Sequence, residues 1–232
     1  MYFIVFVKQL KEPTPHIVFV KQLKEASINI NNLIFIISMT TTISSFTQLN
    51  LDKPRTLVLC DIDDTILHFP ERDTFCKEIV DDFYPNGIHD NTYYAELKKL
   101  KDMYVLIKEP KHTDYSGFVS MVNTLKSTNG QLMFLTARHI DSDKWTRRQL
   151  RKLGINPDEF YIHYTCAMMS KGDYIKQNIS FTNWATTIFV DDFDPYIQSV
   201  RDICPEITCY KFQAKNEAYL TSLKKDYKLF YK

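Results

Sequence analysis

The sequence TLVLCDIDDTIL, residues 56–67, decides the fold of this chain. Four consecutive apolar residues, 57–60, are typical of a strand that is covered on both faces of a parallel sheet. Acidic residues follow directly, at Asp61, Asp63 and Asp64. Open parallel sheets bind their ligands beyond the carboxyl ends of the strands. The stretch therefore predicts a buried strand that carries acidic side chains into a ligand site.

The rest of the chain from residue 56 onward repeats this pattern of short apolar runs followed by amphipathic stretches. Such alternation is typical of βαβ units around a parallel sheet. The predicted strands are 57–60, 131–135, 160–164, 187–190 and 207–212, and the predicted helices are 114–125, 142–153, 171–178, 195–203 and 217–225. The sequence therefore predicts an α/β fold with a Rossmann-like core, in which a parallel sheet lies between helices.

Polar residues follow three of these strands and begin one of the helices. The strand at 131–135 ends in Thr136, the strand at 187–190 ends in Asp191 and Asp192, and Lys171 begins a helix. If the strands are parallel neighbours, these side chains meet the acids after residue 60 at one edge of the sheet. Carboxylates that lie close together need a positive charge among them. A cluster of oxygen ligands without His or Cys suits a hard divalent ion, so the predicted cofactor is Mg²⁺.

Four motifs in this order resemble those of the haloacid dehalogenase (HAD) superfamily. LVLCDIDDTIL resembles the first, FLTAR the second, Lys171 in SKGDYIK the third, and IFVDDF the fourth. The resemblance covers about Arg55 to Phe212. The runs WTRRQLRKLGI, KGDYIKQNI and VDDFDPYIQSV are also similar to a little-characterised HAD-like group of bacteria and large DNA viruses.

The resemblance implies a phosphatase, that is, a phosphomonoester hydrolase. Asp61 is the implied nucleophile, which forms an aspartyl-phosphate, and Asp63 is the implied general acid and base. Thr136 and Lys171 are the implied ligands of the transferring phosphoryl group.

The implied Mg²⁺ site is built from the same edge of the sheet. Asp61, the backbone carbonyl of Asp63 and the side chain of Asp192 are the implied ligands. Asp191 is either a further ligand or a neighbour that orients the site. Mg²⁺ in this position relieves the repulsion between the phosphate and the carboxylates.

Two alternatives to an active phosphatase remain open at this point. A phospho-accepting switch also combines acids, a Thr and a Lys around Mg²⁺. In such receiver domains the Lys comes last, whereas Lys171 precedes the pair Asp191 and Asp192. An inactive HAD-like binding module is the second alternative, although all the motif acids are present.

Asp64 and Arg138 receive structural interpretations, and the choice of the site lysine follows from its place in a helix. Asp64 is predicted to stabilise the turn after the first strand. Arg138, which follows a strand, is predicted to pair with a surface acid, with substrate binding as the alternative. Lys171 is preferred over Lys176 as the site lysine because Ser-Lys-Gly suits the start of a helix.

The predicted domain organisation has three parts. Residues 1–50 form an N-terminal extension that is expected to be poorly ordered, and its Ser/Thr-rich stretch MTTTISS is interpreted as a flexible leader. Residues 51–67 and 113–232 form the catalytic core. Residues 68–112 form an inserted segment with a predicted helix at 91–103, and the HAD resemblance implies that this segment is a small, mainly helical cap that covers the site and selects the substrate.

Composition limits the partners. Lys and Arg number 29 and Asp and Glu 28, so the chain lacks the strong positive charge that draws proteins to nucleic acids. The five cysteines form no C-x-x-C pair, which favours reduced thiols and a cytoplasmic location. The apolar run at 33–37 is too short to span a bilayer, so no membrane partner is expected. The predicted substrate is a small phosphorylated molecule, with a 3′ or 5′ phosphate at a nucleic-acid end as the alternative, and the oligomeric state is left open.

Overall fold

The structure, a computed structural model, describes residues 40–84 and 90–214. The strands of this part are β1 Thr41–Ile43, β2 Thr56–Cys60, β3 Leu67–His68, β4 Lys111–His112, β5 Gln131–Thr136, β6 Tyr161–Tyr164, β7 Thr186–Asp191 and β8 Thr208–Phe212. The α-helices are α1 Arg72–Phe83, α2 Asn91–Ile107, α3 Tyr115–Ser127, α4 Asp143–Lys152, α5 Lys171–Asn178 and α6 Asp194–Ile203.

Six of the strands form one parallel sheet in the order β1-β8-β7-β2-β5-β6. The chain runs from β2 outward through β5 to β6, and then returns to the other side of β2 with β7. The strand order therefore reverses beside β2. In open α/β sheets this reversal creates a crevice at the carboxyl edge, and ligands bind in that crevice.

Strand β2 lies at the centre of the core because both of its faces are covered. Val58 and Cys60 belong to the apolar cluster that contains Phe118 of α3, on one face of the sheet. Leu57 and Leu59 belong to the other cluster, which contains buried residues of α5 and α6. Successive side chains of a strand point to opposite faces, so a continuous apolar run requires helices on both sides. The predicted Rossmann-like α/β core is thereby confirmed.

The two helices of the segment 68–112 differ from the prediction. Helix α1 was not predicted, because the described structure buries just two of its apolar side chains, Cys76 and Val80, and such a narrow stripe gives a weak periodic signal. Helix α2 extends the predicted helix 91–103 to Ile107. The predicted closing helix at 217–225 lies outside the described residues.

The stretch interpreted as a flexible leader contains a strand, which corrects that part of the prediction. Thr41–Ile43 pairs in parallel with β8 and forms one edge of the sheet. Directly after it, Phe46 is buried and its ring stacks on that of Phe212, with 4.6 Å between the ring centroids. Burial of this aromatic ring stabilises the segment, although its short Ser/Thr-rich sequence shows no apolar pattern typical of a strand.

The two ends of the predicted cap segment meet beside the first motif. Strands β3 and β4 pair in antiparallel fashion, with Leu67 opposite His112. The Thr113 hydroxyl donates to the carbonyl of Thr65 at 2.6 Å. Between these ends, helices α1 and α2 pack against each other. That this segment acts as a cap stays a prediction.

Gly172 in α5 is expected to tolerate no side chain. A Cβ atom at this position would lie 2.2 Å from the carbonyl oxygen of Ser199 in α6, which is main chain and cannot turn away. Overpacking of this kind costs about 1–3 kcal/mol. Gly172→Ala is therefore expected to lower the Tm in circular dichroism by several degrees. Lys176→Ala, on the exposed part of the same helix, is the control and should melt like the wild type.

No helix of residues 40–84 and 90–214 combines the length and the apolar character that crossing a membrane requires. The cytoplasmic location stays a prediction.

Candidate active site

The loop after β2 is a compact turn that presents its acids at the carboxyl edge of the sheet. Its main chain folds back on itself, because the amides of Ile66 and Leu67 both donate to the carbonyl of Ile62, at 2.9 and 2.8 Å. Asp64 adopts a positive φ of 57° within the turn. Aspartate tolerates this left-handed conformation better than most residues. Asp64 is thus a turn residue, as predicted, and its carboxylate pairs with Arg72 of α1 at 2.7 Å.

Three carboxylates converge beyond the ends of β2 and β7. Asp61, Asp191 and Asp192 each place a carboxylate oxygen so that these atoms all lie within 4.8 Å of one another. Asp61 and Asp191 are buried, whereas Asp192 is partly exposed. Neighbouring parallel strands thus bring together acids that lie far apart in sequence.

Lys171 lies between two of these acids. Its Nζ donates to Asp61 Oδ1 and, at 2.6 Å, to Asp191 Oδ2. The side chain is completely buried. Ser170 accepts a hydrogen bond from the amide of Asp173 and so caps α5, which places Lys171 in the first turn. Burial alone would lower the pKa of Lys171, but Asp191 and Asp61 raise it above its ordinary value, so the ammonium stays charged.

The cluster has more negative than positive charges, and this excess contributes to raised pKa values of its acids. Burial raises the pKa of Asp61 well above its ordinary value, with a further rise from Asp191 and Asp192, and Lys171 offsets part of it. Burial, Asp191 and Asp64 raise the pKa of Asp192 to about 7. Three carboxylates with one ammonium leave room for a divalent positive charge, and all the side-chain ligands are oxygens. The residues present therefore fit a hard cation such as Mg²⁺.

Asp63 is held by Arg138, which follows β5. The guanidinium donates to both carboxylate oxygens, from Nε at 2.8 Å and from Nη2 at 2.7 Å. Burial alone would raise the pKa of Asp63, but the charge and hydrogen bonds of Arg138 lower it overall. The prediction that Arg138 pairs with a surface acid is therefore wrong. Its side chain is 6% exposed, and it pairs with an acid of the first motif because β2 and β5 are neighbours.

Thr136 ends β5 at the same edge of the sheet and is completely buried. Its hydroxyl oxygen accepts a hydrogen bond from the amide of Arg138 at 3.2 Å. A hydroxyl that accepts one bond still has its own proton to donate. Thr136 therefore lies at the end of the strand where the sequence placed it.

Several residues of the site were given no role by the sequence. Thr65 is completely buried, and its hydroxyl donates to Asp192 Oδ1 at 3.4 Å. Thr146 and Gln149 of α4 accept hydrogen bonds from Nη1 of Arg138, at 2.9 and 2.8 Å. Thr65 closes the D-x-D-x-T pattern, which was an available signal. The sequence held no such signal for Thr146 and Gln149, apart from their place on the buried face of a helix.

The structure thus brings Asp61, Lys171, Asp191 and Asp192 into one cluster. Lys176, in contrast, lies in the last turn of α5 and is exposed. Asp63 and Thr136 reach the same edge and share Arg138 as a partner. The roles assigned to these residues in catalysis and metal binding stay predictions.

Comparison with protein-family models gives one match. The family is described as Protein of unknown function (DUF2608), and its model matches residues 37–183, more than half of the chain. A comparison with curated protein sequences found no match.

Solved structures with a similar course of the chain include HAD hydrolases. A HAD-superfamily hydrolase from Ehrlichia chaffeensis is 14% identical with a TM-score of 0.48, over 75% of this chain and 98% of that one. A HAD family enzyme from Bacteroides thetaiotaomicron, in complex with magnesium and inorganic phosphate, is 11% identical with a TM-score of 0.46, over 70% and 96%. A chain of the Pnkp1/Rnl/Hen1 complex is 14% identical with a TM-score of 0.44, and this chain covers 52% of its length.

HAD hydrolases recur among these structures. The closer similarity to a group of bacteria and large DNA viruses stays a prediction.

Proposed function

This chain belongs to the DUF2608 family, and we propose that it is a magnesium-dependent phosphomonoester hydrolase of the HAD type. The observation that carries the proposal is the cluster of three carboxylates around a fully buried lysine at the carboxyl edge of the sheet. Burying a lysine and two acids costs free energy of desolvation. Buried charged groups with perturbed pKa values in a crevice are typical of catalytic sites.

Asp61 is the proposed nucleophile. Its carboxylate oxygen attacks the phosphorus of the ester, the bond from phosphorus to the ester oxygen breaks, and Asp63 gives a proton to the leaving oxygen. In the second step a water molecule attacks the aspartyl-phosphate. The bond between Asp61 and phosphorus breaks, Asp63 takes the proton of the water, and inorganic phosphate leaves with both acids restored.

Arg138 supports both proton transfers by holding Asp63 in one orientation. The two hydrogen bonds from its guanidinium occupy one lone-pair direction on each carboxylate oxygen, and the other directions remain for a proton. The lowered pKa of Asp63 keeps this acid ionised before substrate binds, so the proton that it donates is taken up from solvent when the substrate binds. The negative charge of a bound phosphate raises the pKa of a nearby carboxyl group, which is the direction that proton donation requires.

Lys171 and Thr136 are the proposed ligands of the phosphoryl oxygens. The ammonium of Lys171 is already fixed by Asp61 and Asp191, so it needs no reorganisation during the reaction. Preorganised donors of this kind contribute most to stabilising the transition state. The Thr136 hydroxyl adds a neutral donor.

Asp61, Asp192 and the backbone carbonyl of Asp63 are the proposed ligands of Mg²⁺. When bound, the ion neutralises the phosphate and reduces its repulsion from the nucleophile. Asp191 is better suited to orienting Lys171, because both of its oxygens already accept hydrogen bonds, from Lys171 Nζ at 2.6 Å and from the Phe193 amide at 2.8 Å.

Helices α1 and α2 are the proposed cover of the site. Both belong to the segment 68–112, whose ends are joined beside the first motif. A cover excludes water and contacts the leaving group, so it would select among substrates. The proposed substrate is a small phosphorylated molecule, with a nucleic-acid 3′ or 5′ phosphate as the alternative.

Release of inorganic phosphate tests the function. The full chain is incubated with Mg²⁺ and a panel of sugar phosphates, nucleotides and oligonucleotides that carry a 3′ or 5′ phosphate. Many turnovers per protein molecule on at least one class are expected. Phosphorylation of the protein without turnover would favour a phospho-accepting switch, and no reaction with any class would favour a binding module.

Metal removal is expected to abolish this turnover, because the single ammonium of Lys171 cannot offset the charge of three carboxylates and a phosphate. Activity should disappear after treatment with EDTA and return when Mg²⁺ is added in excess. Asp192→Asn should need a higher Mg²⁺ concentration for half of its maximal rate, whereas Asp202→Asn, on the surface of α6, should need the wild-type concentration. A rate that does not respond to EDTA would contradict metal dependence.

A further inference from the structure

A chain of hydrogen bonds runs from the end of helix α2 to Asp63. Gln149 of α4, which is 5% exposed, stands in its middle. Its amide nitrogen donates to the carbonyl oxygens of Val105 at 2.5 Å and Lys108 at 3.1 Å. Its amide oxygen accepts from Nη1 of Arg138 at 2.8 Å. The guanidinium of Arg138 in turn holds both oxygens of Asp63.

Glutamine is chemically suited to this position. The last carbonyls of a helix have no partner within the helix, and they need a donor when they are buried. The guanidinium of Arg138 has five donors and needs acceptors. A glutamine side chain offers two donors at one atom and an acceptor at the other, so Gln149 satisfies both groups at once, whereas glutamate lacks the donors and methionine lacks both.

A second connection joins the same helical segment to the neighbouring residue of the site loop. Arg72, at the start of α1, pairs with Asp64 at 2.7 Å. The start of α1 is therefore tied to Asp64, and the end of α2 is tied to Asp63 through Gln149 and Arg138. A shift of helices α1 and α2 would therefore change the positions of both Asp63 and Asp64.

We propose that Gln149 is a positioning residue for Asp63, which acts through Arg138 and links the orientation of the Asp63 carboxyl group to the end of helix α2. This inference rests on the proposed function of Asp63 as the acid that protonates the leaving group. Without Gln149, Nη1 of Arg138 keeps one acceptor, Thr146, and the guanidinium loses part of its support. Small misplacements of a catalytic group cost rate even when the chemistry is intact.

The test compares two substrates that differ in their need for a proton donor. An alkyl phosphate has a poor leaving group that must be protonated, whereas a dinitrophenyl phosphate leaves without a proton. In Gln149→Met the ratio of kcat/KM for the alkyl ester to kcat/KM for the dinitrophenyl ester is expected to fall about tenfold. The constant kcat/KM reports the step in which the leaving group departs, and general acid catalysis of that step is worth roughly 10²–10⁴ in rate. Gln198→Met, on the exposed face of α6, is the matched control and should keep the wild-type ratio.

A second measurement does not depend on activity. The Nε–H resonance of Arg138 is observed by NMR with ¹⁵N-arginine and assigned through its loss in Arg138→Lys. It should shift and exchange faster with water in Gln149→Met, in the direction seen when Asp63→Asn removes the ion pair. In Gln198→Met it should stay in place.

The outcomes separate the two proposals. If kcat/KM falls by the same factor for both esters in Gln149→Met, with the ratio unchanged, the residue is purely structural and the inference is overturned. An unchanged Arg138 resonance in Gln149→Met overturns it as well. If the wild type hydrolyses neither ester nor any phosphate of the substrate panel, the proposed function fails, and the resonance alone then decides whether Gln149 holds Arg138.

Discussion

Asp61→Asn is expected to lower the phosphatase kcat by about 10⁴-fold or more, because an amide cannot form the acyl-phosphate and the hydrolysis loses its covalent step. The substitution keeps the size of the side chain. Lys171 also keeps Asp191 as a partner, so the fold should persist. The measurement is the initial rate of phosphate release under saturating substrate, with circular dichroism to verify folding.

Asp52→Asn is the control for this variant. Asp52 precedes β2 and is exposed, so its amide should leave the rate unchanged. Mass spectrometry of acid-quenched wild type should also detect the phosphorylated protein, which Asp61→Asn should not form. Activity of Asp61→Asn within tenfold of the wild type would remove this residue as the nucleophile.

Lys171→Met is expected to cost both activity and stability. The substitution leaves the buried carboxylates of Asp61 and Asp191 without the ammonium that neutralises them. Breaking a buried ion pair on one side costs about 3–5 kcal/mol, and loss of a preorganised donor costs roughly 10²–10³ in kcat. In EDTA the Tm should fall by roughly 10 °C for a chain of this size.

Two comparisons separate this effect from simple loss of packing. Adding Asp191→Asn to Lys171→Met should recover part of the lost Tm, because it removes one of the two unneutralised charges. Mg²⁺ should raise the Tm of Lys171→Met by more than it raises that of the wild type. Lys176→Met, on the same helix but exposed, is the control and should melt normally. A wild-type Tm for Lys171→Met in EDTA would show that the ion pairs do not stabilise the fold.

The centre of the sheet was predictable because its signals are local. Each residue from Leu57 to Cys60 is buried, and a continuous apolar run of this length is typical of a strand covered on both faces. The acids at the ends of β2 and β7 follow such runs directly, so their place at the edge follows from the strand assignment. Strand β1 has no comparable apolar run. Its three residues form a strand because they pair with β8 and because Phe46, three residues later, is buried.

The partner of Arg138 was not predictable for the opposite reason. Arg138 and Asp63 are 75 residues apart, and an arginine after a strand pairs with a surface acid in most contexts. The register of β2 against β5 decides that these two side chains meet. Gln149 depends on tertiary structure even more, since its partners come from the main chain of α2 and from the loop after β5.

The sequence by itself determined the α/β fold class and the buried central strands, because both depend on local apolar runs. It also determined that the acids and the threonine lie at the ends of these strands and that the lysine begins a helix. The tertiary structure alone decided which charges neutralise one another. Lys171 lies 110 residues from Asp61 and 20 from Asp191, and it contacts both because α5 begins beside the crevice between their strands. Strand order and helix packing set these distances, and both arise from the burial of surfaces that are far apart in the chain.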